Sequence, residues 1–223
     1  VPSSDAYWFA PVPRPGKIVC IGMNYRDHAH ELQLGVPNEP TIFSKFPSCV
    51  IAPGEAVIIP PGSTQVDYEA ELAVVIGRRA TQVSADRAYD YVQGYTAFND
   101  VTARDFQFGD LQWQRGKSCD TFAPMGPTIV TTDEIPDPHA LRITLTLNGT
   151  VMQDSNTSEL IFRVPELIAF ITRNITLEPG DIIATGTPAG VGFARKPPVF
   201  LKPGDAMAVD IERIGQLGNP ISA

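Results

Sequence analysis

"VDYEAELAVVIG", Val66 to Gly77, sets three acids on alternate residues and then runs straight into an apolar block. In an extended chain successive side chains alternate faces, so Asp67, Glu69 and Glu71 share one face while Tyr68, Ala70 and Leu72 share the other. Two readings of the acidic face stay open. On the wet side of an antiparallel strand such acids cost little. The continuation from Leu72 to Ile76, however, is apolar on both faces, which sends the strand inward, and acids carried toward an interior need a cation. Oxygen-only ligands suit hard Mg²⁺ or Mn²⁺, with Ca²⁺ as a third choice, better than zinc, which prefers nitrogen and sulfur.

Working outward, "KIVCIG" after Gly16, "AVIIPP", "YTAFND", "TIVTT", "LRITLTLNG", "DIIATG" and "AMAVDIERIG" are short β-branched or alternating runs bounded by Gly, Pro, Asn and Asp, the pattern of strands and turns. "APGE", "EPGD" and "KPGD" place Pro second and Gly third in a type II turn, each feeding a strand. Two segments read as packing helices. "SADRAYDYVQG" has Ser84 as N-cap and Gly94 as stop, and "VPELIAFITRN" has Pro165 at the first helical position. With 21 prolines and 18 glycines in 223 residues, the chain is expected to be mainly β with some α (α+β). Residues 1–16 read as a proline-rich lead-in and 17–223 as one catalytic domain.

The balance of 17 basic against 25 acidic side chains leaves a net charge of -8, which argues against a nucleic-acid partner. No apolar run approaches the length of a membrane span, so no membrane partner is expected. Three cysteines without CxxC spacing support neither a disulfide framework nor a zinc ribbon, and a reducing, cytoplasmic setting is expected.

Chemistry is carried by a few polar positions. Asp100, at the end of "YTAF", is the best third oxygen ligand from elsewhere in the chain, although a turn aspartate has the same signature. Thr102 and Asp105 have capping-box spacing, so Arg104 falls on a helical turn, where its planar fork suits a carboxylate. Lys117 stands alone in "GKSCDTFAPMGP". "ATGTPAGVG", residues 184–192, is a glycine-rich loop able to cradle an anion, though it lacks the Gly-Lys-Ser/Thr of a phosphate loop. His28 and Glu31 are three apart, so one helical turn makes them a candidate acid/base pair with His30 facing away.

"GMNYRDHAHEL", "IFSKF", "DYEAELAVVIG", "FNDVTARD", "GKSCDTFAPMGP" and "ATGTPAGVG" occur in the order found in the fumarylacetoacetate hydrolase (FAH) family, which the chain resembles from Lys17 to Ile214, most closely its compact branch. The resemblance implies a mixed β-roll with a few short packing helices, usually a homodimer. It implies that Glu69, Glu71 and Asp100 bind Mg²⁺ or Mn²⁺, leaving Asp67 as a solvated acid. It implies that Arg104, Gln107, Lys117 and Thr187 face a small anionic 2-oxo acid, and that His28 and Glu31 form a catalytic dyad with Lys117 beside it. Cys119 stands where the branch commonly has an aromatic. The leading expectation is hydrolysis of a carbon–carbon bond in an acylpyruvate or fumarylacetoacetate-like compound. The same-fold alternatives are an oxaloacetate tautomerase or decarboxylase and an isomerase of the 2-hydroxyhepta-2,4-diene-1,7-dioate type. From another class, the alternative is a non-catalytic metal- or carboxylate-binding relative.

Overall fold

The structure is a computed structural model that describes residues 8–110 and 112–223. The first seven residues of the expected lead-in lie outside the described residues.

Each of the three Pro-Gly phrases makes its turn. Gly54, Gly180 and Gly204 have φ of +83, +85 and +92, and the residue after each glycine donates its N–H to the carbonyl three back, as Asp181 does to Glu178 at 3.0 Å. Strands follow at Val57–Ile58, Ile182–Ala184 and Ala206–Ile211. A left-handed third position is what glycine supplies without steric cost.

The larger sheet runs, edge to edge, Thr41–Lys45, Ile18–Gly22, Ile182–Ala184, Ala70–Ile76, Val92–Asn99, Ala123–Thr131 and Val50–Ile51. It is mixed: Ile18–Gly22 lies parallel to Ile182–Ala184, and the latter is antiparallel to Ala70–Ile76. The second sheet runs Thr150–Asn156, Arg142–Leu147, Ala206–Ile211, Gly215–Ser222 and Val57–Ile58. Ala70–Ile76 is buried along its whole length, as its two-sided apolar pattern requires. Leu72, Val74, Ile183 and Leu145 are fully buried in the shared core, and each such side chain contributes roughly 1.5–3 kcal/mol.

The acidic phrase itself is broken. Val66–Asp67 pairs in a separate two-stranded ribbon with Thr102–Ala103, and the long strand starts only at Ala70. Asp67 is fully buried, which overturns its expected place on a solvated face.

Of the helices, Val164–Thr172 matches its expectation, with Pro165 in the first turn and Leu167, Ile168 and Ile171 buried. The other differs. Ala85–Tyr91 is a 3₁₀ turn, Ser84 makes no side-chain cap, and Gly94 lies inside the strand Val92–Asn99. A β-carbon on Gly94 would fall 2.3 Å from the Val130 carbonyl oxygen, so this glycine serves close strand packing and not helix termination. The strands Thr41–Lys45, Thr150–Asn156 and Gly215–Ser222 had no counterpart in the sequence reading.

Candidate metal and active site

The register of two strands assembles the acids. Ala70 faces Asn99 and Glu71 faces Phe98, and the Asp100 N–H donates to the Glu69 carbonyl at 2.9 Å, so Glu69 and Asp100 are cross-strand neighbours. Residues directly opposite in an antiparallel pair project to the same side, and residues two apart on one strand do so as well. Glu69, Glu71 and Asp100 therefore converge, each buried, with one carboxylate oxygen from each within 4.8 Å of the others.

Three cations stand against these acids. Lys117 ends the short helix Gln114–Lys117 and donates to Glu69 Oε2 and Asp100 Oδ2, both at 2.8 Å. Gly116 lets this helix approach, since a β-carbon there would lie 2.6 Å from the Gln107 nitrogen. Lys45, at the end of Thr41–Lys45, is buried and donates to Asp100 Oδ1 at 2.6 Å and to the Val101 carbonyl at 3.0 Å. Arg104 opens the helix Arg104–Gly109. Its Nε and Nη2 lie 2.9 Å from Asp67 Oδ2, its Nη2 lies 2.7 Å from Glu69 Oε1, and its Nη1 donates to Gln107 Oε1 at 3.1 Å. The capping box expected at Thr102 and Asp105 does not form. The Thr102 hydroxyl donates to the Asp100 carbonyl, and Asp105 accepts from Ser63 and Thr64.

Electrostatics divide the acids sharply. Burial works to raise Glu69, but the Lys117 ammonium and the Arg104 guanidinium outweigh it and hold the carboxyl down at about 2. Glu71 goes the other way: burial, then the charges of Asp100 and Glu69, push it well above the carboxylate range. Its Oε2 accepts the Gly186 N–H at 2.9 Å. Four acids, Asp67, Glu69, Glu71 and Asp100, thus meet three basic side chains, Lys45, Lys117 and Arg104. Glu71 is the acid of the four with no basic side chain paired to it, within an all-oxygen donor set. That combination fits a hard divalent cation.

His28 and Glu31 do meet. In the helix Arg26–Glu31, His28 Nδ1 lies 2.8 Å from Glu31 Oε2, while His30 is exposed. Glu31 Oε1 accepts the Gly190 N–H at 2.9 Å, and Asp27 accepts from the Ser155 hydroxyl at 2.5 Å and the Ala189 N–H at 3.3 Å. The glycine-rich loop does cradle anions, but they are the chain's own. Gly186, Gly190 and Gly192 donate to Glu71, Glu31 and Asp67. Thr187, in the same loop, accepts from Gln153 Nε2 at 2.8 Å. His28, Glu69, Glu71, Arg104, Gln107, Lys117 and Thr187 share one cavity of about 380 Å³. A larger open groove of about 780 Å³ beside Phe46, Ile58 and Cys119 contains none of them.

Lys45, Asp67, Asp27 and Gln153 were missed as site residues in the sequence. The signal for Lys45 was a lone lysine at the end of the apolar run "TIFSK". Gln153 gave none: its Oε1 holds the Ala70 N–H and its amide holds Thr187 across 34 residues.

The family model described as fumarylacetoacetate (FAA) hydrolase C-terminal matches residues 17–222. The chain belongs to the fumarylacetoacetate hydrolase family of enzymes. It is 51% identical to bovine (Bos taurus) "Oxaloacetate tautomerase FAHD2A, mitochondrial", over 99% of this chain and 71% of that protein. It is 48% identical to the human protein of the same name over the same shares. Among solved structures, the "Fumarylacetoacetate hydrolase (EaFAH) from psychrophilic Exiguobacterium antarcticum" superposes with a TM-score of 0.91 at 41% identity, covering 96% of this chain and 78% of that one. A "5-carboxymethyl-2-hydroxymuconate delta-isomerase from Mycobacterium smegmatis" does so with a TM-score of 0.88 at 40% identity, covering 100% and 84%. The mitochondrial names lend no support to the expected cytoplasmic setting. Among the described residues no helix is long and apolar enough to cross a membrane.

Proposed function

We propose that this chain catalyses keto–enol tautomerisation of a small enolisable 2-oxo acid of the oxaloacetate type, with a divalent cation, Mg²⁺ or Mn²⁺, held by Glu69, Glu71 and Asp100. The observation that carries the reading is one cavity lined both by Glu69 and Glu71 of the all-carboxylate donor set and by His28, whose Nδ1 is held by Glu31. The names of the relatives at about half identity support it. When bound, the cation supplies Lewis-acid stabilisation of charge on an enolate oxygen.

The chain's own groups do the rest. Glu31 takes the N–H at His28 Nδ1, which leaves Nε2 as the basic nitrogen to accept a proton from C3 and return it. Lys117 spends two of its three N–H groups on Glu69 and Asp100, and the third is available to an oxygen in the cavity. Gln107 accepts from Arg104 through its oxygen, which frees its amide N–H groups, and Thr187 accepts from Gln153, which frees its hydroxyl proton. In this reading both hold the substrate carboxylate. Arg104, already clamped to Asp67 and Glu69, acts mainly by positioning Glu69. A homodimer, implied by the family resemblance, belongs to the same proposal, and light scattering checks it.

Carbon–carbon hydrolysis, the first expectation from sequence, keeps one observation in its favour: the same dyad could activate a water. A proton shuttle needs that dyad equally, and although one solved neighbour is named a hydrolase and another an isomerase, the relatives at about half identity are named oxaloacetate tautomerases. The test is to follow both oxaloacetate tautomers by ultraviolet absorbance with the Mg²⁺-loaded protein, alongside acetylpyruvate and fumarylpyruvate. Tautomerisation should be accelerated, and His28→Asn should lower it by roughly 10²–10⁴-fold. Hydrolysis of an acylpyruvate without tautomerisation of oxaloacetate would reverse the order of the two readings.

A further inference from the structure

Arg195 follows the short 3₁₀ turn Gly192–Ala194 and does not line the cavity. Its guanidinium is spent on backbone: Nε donates to the Gly190 carbonyl at 3.2 Å and Nη2 donates to the Met152 carbonyl. Among the described residues no carboxylate is paired with it. A planar fork can span two carbonyls at once, which a lysine ammonium cannot do with the same fixed geometry.

The peptide it grips leads to the site. Gly190 has φ of +104 and lies so close to the strand Thr150–Asn156 that a β-carbon would fall 2.2 Å from the Met152 oxygen, the same atom that Arg195 holds. The Gly190 carbonyl also accepts the Tyr68 hydroxyl at 3.2 Å, and the Gly190 N–H donates to Glu31 Oε1 at 2.9 Å. Glu31 Oε2 in turn meets His28 Nδ1 at 2.8 Å. Burial, then the charge of Asp67, pushes the Tyr68 phenol up to about 12, so it stays a donor, and the charges of Arg195 and Glu31 both act on it. Glycine has the widest backbone freedom of any residue. With its carbonyl pinned, Gly190 keeps its N–H aimed at Glu31.

Resting on the tautomerase reading, we propose that Arg195 is a positioning residue for the His28–Glu31 pair: it locks the Gly190 peptide, so that Glu31 holds the proton on His28 Nδ1 and Nε2 stays free to accept one. Once the Gly190 N–H is lost, Glu31 has one donor fewer and turns away from Nδ1. The neutral imidazole can then carry its proton on either nitrogen, and wherever Nε2 carries it the ring is no base toward the cavity.

The test is ring-nitrogen NMR on the full, Mg²⁺-loaded chain labelled at its three histidines, with His28→Asn identifying the His28 signals. Oxaloacetate tautomerisation is followed by absorbance and Mg²⁺ affinity by calorimetry. Wild type should carry the His28 proton on Nδ1. Arg195→Gln should share it between both nitrogens and lower kcat by about tenfold, with KM and Mg²⁺ affinity changed less than about threefold. Arg195→Lys, which keeps the charge but loses the fork, should fall between the two. A wild-type proton position in Arg195→Gln overturns the assignment even if kcat falls, as does a wild type with the proton on Nε2 or a loss of Mg²⁺ affinity as large as the loss of kcat. If Arg195→Gln does not fold, Arg195→Lys decides by the same signals. If the wild type interconverts no tautomer, the tautomerase reading fails and the ring nitrogens decide alone: a proton displaced from Nδ1 in the variant upholds the positioning role, and one that stays overturns it.

Discussion

Arg104 and Asp67 are clamped to one another in the interior: Nε and Nη2 of the guanidinium both lie 2.9 Å from Asp67 Oδ2, and the second oxygen, Oδ1, accepts the N–H groups of Tyr68 and Gly192. Asp67→Asn strips the charge from this pair and leaves a buried guanidinium half-matched. The expected cost is about 3–5 kcal/mol of folding stability, read as a lower urea midpoint. A wet acid, as the sequence pattern suggested, would cost nearly nothing.

Glu71 should behave in the opposite way. Since burial and the charges of Asp100 and Glu69 oppose its ionisation, Glu71→Gln removes repulsion and keeps the oxygen that accepts the Gly186 N–H. In chelator the variant should melt at or above the wild type. Mg²⁺ at a hundred times its dissociation constant should stabilise the wild type by about 2.7 kcal/mol and the variant by much less. A variant that melts far below wild type in chelator would remove the argument that ionisation of Glu71 is opposed by its surroundings.

The dyad helix is fastened by Asp27 to Ser155, and Ser155 lies two residues along the strand from Gln153, which holds Thr187. Ser155→Ala should loosen residues 26–31 while leaving the carboxylate triad intact. Loss of one charge-assisted hydrogen bond, about 1.5–3 kcal/mol, corresponds to roughly ten- to hundredfold faster amide exchange there. Turnover should fall several-fold with Mg²⁺ affinity unchanged. Hydrogen-exchange mass spectrometry and calorimetry separate the two effects.

His139 gives a stability titration remote from the site. Its Nε2 accepts the N–H of Val164 at the start of the helix Val164–Thr172, and its Nδ1 lies 3.2 Å from Asp137. Burial lowers its pKa, outweighing the attraction of Asp137. The unfolded chain therefore binds the proton more readily. The contribution is complete above the ordinary histidine value of about 6.5 and is lost as pH falls below it toward the depressed folded value. Urea unfolding between pH 7.5 and 5.5 should show this loss, and His139→Gln should flatten it.

Much of the frame was legible because it rests on local rules. The Pro-Gly phrases turned where they read as turns, and the apolar block after Glu71 became a strand buried end to end. Glu69, Glu71 and Asp100 were visible as candidates through a two-residue period and a strand end, but it was the resemblance in ordered motifs, and not the local pattern, that singled them out as a ligand set. Asp67 was not. Its period matched that of the glutamates, but its fate depended on Arg104, which sits 37 residues on and reaches it only after the ribbon Val66–Asp67 pairs with Thr102–Ala103. Lys45, Asp27 and Gln153 were hidden for the same reason: each acts on a partner 55, 128 or 83 residues away. Gly94 misled because a helix stop and a tight strand crossing select the same residue.

The glycine-rich loop from Ala184 to Gly192 gives its backbone N–H groups to Glu71, Glu31 and Asp67, which belong respectively to the carboxylate cluster, the His28–Glu31 pair and the arginine clamp. It is therefore a keystone and not a berth. Inorganic phosphate or sulfate finds those three donors already spoken for. A single nick in this loop would put three otherwise separate pieces of machinery out of alignment at once, so proteolytic cleavage there should abolish activity in one step.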